Sequence, residues 1–95
     1  MNYLEEYAQR IRAEVPAELL PEQDATGLFR AYAVLGLAMG GAVRARDVHN
    51  AWVAWMTGIQ PDHAALVPFD QLSPRQQAQD APFVDAISRA SRQPG

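Results

Sequence analysis

Apolar residues recur at steps of three and four over several stretches of this chain, the spacing that lays one hydrophobic stripe along a helix. In the first stretch Leu4, Tyr7, Ala8, Ile11 and Val15 share a face, Asn2 stands where an N-cap belongs and Pro16 closes the run. The pattern predicts a helix within residues 1–15. PAELLPEQD follows with two prolines five residues apart, and reads as a connector tacked to the core by Leu19 and Leu20. A second helix is expected over 24–39, capped by Asp24. It carries Leu28, Tyr32, Leu35 and Met39 on one face and Phe29, Ala33 and Leu37 around the back. A helix apolar nearly all round belongs at the centre, so this one is expected to be the most buried. Gly40 and Gly41 suit a left-handed C-terminal cap.

A third helix is expected over 44–57. Val48, Ala51, Trp52, Trp55 and Met56 form its inner stripe, while Arg46, Asp47, His49, Asn50 and Thr57 face outward, and Gly58 stops it. Residues 59–72 are too short and proline-broken for a sheet. Within them HAALVPFDQLS packs Leu66, Val67, Phe69 and Leu72 around Pro68, an arrangement that cannot point all four the same way on a helix or strand. Burying each is worth about 1.5–3 kcal/mol. The expected solution is a clasp, with Leu66, Phe69 and Leu72 inserted into the core. Ser73-Pro74-Arg75-Gln76 places serine at N-cap, proline at N1 and glutamine at N3, a capping box. Residues 73–91 therefore read as C-terminal helices, with Asp80 as a second cap and Phe83, Val84, Ile87 and Ala90 lining one side; the tail SRQPG should fray. The whole is an all-α fold: residues 1–95 form one domain, a compact bundle of four to five short helices with a proline-containing loop packed across it.

Composition narrows the function classes. A chain of 95 residues with 48% hydrophobic and 20% charged positions has the profile of a globular protein with one core, too small for a large enclosed substrate cavity. No apolar run approaches the roughly 20 residues that span a bilayer. Two glutamates stand where an export signal would carry cations, so a cytoplasmic location without membrane contact is expected. The absence of cysteine removes disulfides, thiolate catalysis and cysteine-based zinc sites. A net charge of -3 argues against nucleic acid as partner. All cations are arginine, a bias, with abundant alanine, of GC-rich genomes such as those of actinobacteria or their phages.

LVPFDQLSPRQQAQDAPFVDAI, together with His49-x-x-Trp52 and His63 upstream, resembles the second half of the ryanodine-receptor repeat domain. The matching positions are His49, Trp52, His63, Leu66, Val67, Pro68, Phe69, Leu72 and Asp80. The spacer between the two motifs is shorter than in the usual repeat, Ala64 stands where a proline is normal, and Gln76 or Gln79 replaces a basic residue. Residues 1–43 match none of it. The resemblance implies a non-enzymatic helical module for intermolecular contacts, with bacterial relatives suspected of sensing nucleotide-like ligands. The chain also looks like small actinobacterial and phage proteins, which implies no activity.

Candidate chemistry is sparse. No G-x-S-x-G elbow, Walker loop or G-x-G-x-x-G is present, the carboxylates are dispersed, and no catalytic residue or cofactor is expected. His49 and His63 with Asp62 or Asp70 lack metal-site spacing, so no metal is expected. The core is the favoured place for Trp52 and Trp55, the alternative being an indole that floors a shallow pocket and stacks a planar ligand. Arg44 and Arg46 open the third helix, where amide hydrogens attract anions. The leading expectation is a binding module acting through protein contacts, with Leu66, Pro68, Phe69 and Asp70 on the interaction loop. The partner is another protein or a second copy docked through the first helix, whose Tyr3 and Tyr7 either close the core or meet a twin. The alternative is a sensor holding a nucleotide-like anion between Arg44, Arg46, His49 and Trp52, with His63 nearby. A phage regulator that occupies a host protein is a third reading.

Overall fold

Asn2 Oδ1 accepts the Glu5 amide hydrogen at 3.0 Å and so satisfies one of the orphan donors of the first turn. From there a computed structural model, describing residues 2–93, runs through five α-helices and no strand among the described residues. They are α1 (Tyr3–Glu14), α2 (Thr26–Met39), α3 (Ala45–Thr57), α4 (Pro74–Ala78) and α5 (Ala81–Ser91). Pro94 and Gly95, the end of the tail expected to fray, lie outside the described residues. No described helix is long and apolar enough to cross a membrane.

Helices α1, α2, α3 and α5 pack around one interior in which Ile11, Leu28, Tyr32, Val48 and Ile87 are fully buried. The stripe of α1 closes this core, since Tyr7, Ala8 and Ile11 are buried against α2 and α5. Tyr3 is left exposed. Tyr7 reaches so close to α2 that a Cβ on Gly36 would meet its hydroxyl at 2.6 Å. Glu5 pairs with Arg30 across the same seam, and Glu14 accepts from Gln93 Nε2 at 2.9 Å, tying the end of α1 to the residues after α5.

α2 is the most buried helix, as its pattern predicts, with Leu28, Phe29, Tyr32, Ala33 and Gly36 buried and α1, α3 and α5 packed on it. Val34 and Leu37 of this helix are 54% and 51% exposed, and three details of the predicted pattern need correcting. The helix begins at Thr26, because Asp24 Oδ1 accepts both the Thr26 amide (3.0 Å) and hydroxyl (2.6 Å) just outside it. Of the glycine pair only Gly40 takes positive φ (+56°), which opens the short 3-10 turn Gly40–Ala42. The connector after α1 forms another such turn, Ala17–Leu19, and Leu19 is exposed where it was expected in the core.

The capping box of α4 forms in full: the Gln76 amide donates to Ser73 Oγ and the Ser73 amide to Gln76 Oε1. Gln77 Nε2 then donates to the carbonyls of Phe69 and Leu72, fastening the clasp to α4. Leu72 is buried while Leu66 and Phe69 are half-buried, so the clasp inserts one side chain fully and lays Phe69 against α3.

Candidate functional site

His49 is the one buried polar or charged residue among those described, 4% exposed. This overturns its expected place on the solvent face of α3. That face reads as polar because Arg46 and Asn50 flank it, but the clasp folds over it. The Val67 carbonyl lies 2.7 Å from His49 Nε2. A carbonyl only accepts, so this nitrogen carries the proton and donates. The imidazole stacks on Trp52 (5.8 Å between centroids, 22° between planes) and lies 6.1 Å from the Phe69 ring. Trp52 in turn meets His63 edge-on at 5.1 Å. His63 Nδ1 accepts the Ala65 amide at 3.0 Å, which turns the loop and leaves this ring proton on Nε2.

These side chains border a half-open cleft of about 340 Å³ between the connector after α1, helices α2 and α3, the clasp, and the α4–α5 corner. Tyr32 and Phe83, 5.8 Å apart, supply two more aromatic walls, and Leu19 and Pro21 form one lip. Gln76, Gln79 and Asp80 add polar groups to the lining. The volume is at the small end of ligand clefts.

Asp80 departs from the role expected of it. It sits at the N-cap of α5, yet its backbone is helical and its side chain makes no capping bond. The carboxylate faces the cleft instead, half-buried and without a hydrogen bond or ion pair to another described side chain. Burial raises its pKa to about 6, against the opposing pull of His49. The same charge and, above all, burial push the Tyr32 phenol up.

The expected anion site is not assembled. Arg46 donates to Asp70 at 3.0 Å and lies over the Phe69 ring at 5.5 Å, which pins the clasp to α3 from outside. Arg44 is exposed beside Asp47. Of the four residues assigned to that site, His49 and Trp52 line the cleft and the two arginines do not. His63 joins them, while Pro68 and Asp70 of the interaction loop are exposed and do not line the cleft. Trp55 packs over Gly27 at the start of α2 (3.5 Å to a built Cβ), so one indole props the core and the other walls the cleft. No three described histidine, aspartate or glutamate side chains converge as metal ligands would. Tyr32, Phe83 and Asp80 were missed as site residues. The first two look like core stripe, and Asp80 looks like a cap, although it was a matching position in the repeat-like pattern.

A second groove of about 390 Å³ runs between α1 and α2, over Ala8 and Phe29. Its arginines are engaged within the chain: Arg30 with Glu5, and Arg12 over the Phe29 ring at 5.5 Å. The cleft with the unpaired carboxylate is the stronger candidate.

Residues 2–92 match the family described as Domain of unknown function (DUF7701), and the chain belongs to that family. No curated protein and no solved structure matches it.

Proposed function

We propose that this member of the family is a non-enzymatic binding module that recognises a partner protein by taking one of its side chains into the cleft. One observation carries the reading: His49, Trp52, His63 and Asp80, which come from three separate parts of the chain and carry the repeat-like pattern, all line one small cavity. Aromatic walls with a few fixed polar groups are the usual make-up of a recognition pocket. Both imidazoles have a ring nitrogen committed to backbone, which supports binding over proton transfer. The nucleotide reading is less favoured, because Arg44 and Arg46 lie off the cleft and its only carboxylate would repel a phosphate.

Nuclear magnetic resonance with the full chain tests this. Amide shifts recorded against pools of short peptides and small planar compounds are expected to move around Tyr32, Trp52, His63, Asp80 and Phe83. Trp52→Leu should remove the response while the remaining spectrum keeps its dispersion. Shifts confined to the α1–α2 groove, or no shifts with any pool, would overturn the assignment.

A further inference from the structure

The chemistry of the cleft wall specifies more than a shape. Its lining contains a single carboxylate, three aromatic rings outside the histidines, and no arginine. Asp80 makes no hydrogen bond or ion pair with another described side chain, and partial burial raises its pKa to about 6 against the pull of His49. A carboxylate in that position gains most from a ligand that brings a positive charge and several N–H donors. Trp52 and Phe83, both half-buried in the cleft wall, offer ring surface to a flat group, and a cation over such a face is attracted by the ring quadrupole. The chain shows the same recognition on its own surface: the Arg46 guanidinium lies over Phe69 and bonds to Asp70.

Resting on the binding-module reading, we infer that the cleft is a receptor for a guanidinium group, the arginine side chain of a partner protein, which stacks against Trp52 and pairs with Asp80. A nucleobase is flat and carries donors but brings no charge, so it leaves the carboxylate uncompensated. A phosphate brings the wrong sign.

The test is calorimetric titration of the full chain with N-acetyl-arginine amide, its neutral isostere N-acetyl-citrulline amide, and adenosine. The arginine derivative is expected to bind at about millimolar Kd, with the citrulline derivative about tenfold weaker or worse. Asp80→Asn should erase that preference while circular dichroism and the melting profile show an intact fold. If Asp80→Asn fails to fold, quenching of Trp52 fluorescence in the Trp55→Phe background, by arginine amide and not by citrulline amide, carries the same decision. Equal affinity for the two isosteres, or an unchanged preference in Asp80→Asn, overturns the guanidinium assignment. Binding of adenosine alone also overturns it but leaves the cleft as the recognition site. Silence from all three probes, with peptide-induced shifts at the cleft, again sinks the guanidinium and spares the broader reading.

Discussion

Gly36 and Gly40 stand four residues apart and resist substitution for different reasons. At Gly36 the obstacle is space, since an added methyl would come within 2.6–2.9 Å of the Tyr7 ring and hydroxyl. Overpacking of this kind costs about 1–3 kcal/mol. At Gly40 nothing lies within 4 Å of a built Cβ, but φ is +56°. Gly36→Ala should therefore be partly relieved by trimming Tyr7 to leucine, whereas Gly40→Ala should not respond to that change. Urea midpoints of the two singles and two doubles decide it, and equal coupling in both pairs would refute the distinction. Asp80 gives a residue-scale pH signature. In the unfolded chain it loses its proton near 3.8, and in the folded protein near 6. The folded state thus holds the extra proton between these values. Stability from this group is full below about pH 4 and is lost as the pH rises through 6. Because half of the residue is open to water, the loss is on the order of 1 kcal/mol. Asp80→Asn should flatten this slope and exceed the parent in stability at pH 7. A parent that gains stability between pH 4.5 and 7, relative to the variant, would contradict this.

Elements announced by local chemistry were legible before any coordinates. Asn2 and the Ser73-to-Gln76 box cap helices where their side chains can reach the first-turn amides, and Pro16 ends α1 because it follows the last residue able to continue it. Burial that depends on a distant segment was not legible. The periodicity of α3 places His49 outward relative to its own helix, and only the path of residues 59–72 converts that outward face into an interior one. The reverse holds for α2, where Val34 and Leu37 continue an apolar pattern that no described neighbour covers. The His49 bond to Val67 is one of the side-chain ties that hold the clasp, beside those of Gln77 and Arg46. His49→Leu keeps apolar bulk but removes the donor to Val67, leaving that carbonyl unpaired unless water reaches it, at a cost of about 1–3 kcal/mol. Amide hydrogen exchange should accelerate across residues 63–72 while α1 and α5 keep their protection. Uniform acceleration over the whole chain would show that the clasp opens only with global unfolding.

At the scale of the molecule, the two ends of the chain share one structural fate. α1 packs on α2 and α5, Glu14 is tied to Gln93 and lies 4.0 Å from Arg89, and Val15 is buried behind them. The apolar stripe that left two destinations open, the core or a second copy, is committed inside the chain at Tyr7, Ala8 and Ile11. The cleft is not lined by α1, but Tyr32 and Leu28 reach it from α2, on which α1 packs. Deleting residues 1–15 therefore strips the core of at least three buried apolar side chains beyond alanine, each worth about 1.5–3 kcal/mol, from a domain whose total stability is of order 5–15 kcal/mol. The truncated chain should lose cooperative melting and much of its helical signal, and the amide shifts of Tyr32 and Phe83 should collapse with it. Ile11→Ala, with a cost of about 2–5 kcal/mol, is the milder version and should lower the urea midpoint while preserving the slope. A deletion variant that melts cooperatively with its helical content proportionately intact would mean that α1 is an appendage, and that the cleft stands on α2, α3 and α5 alone.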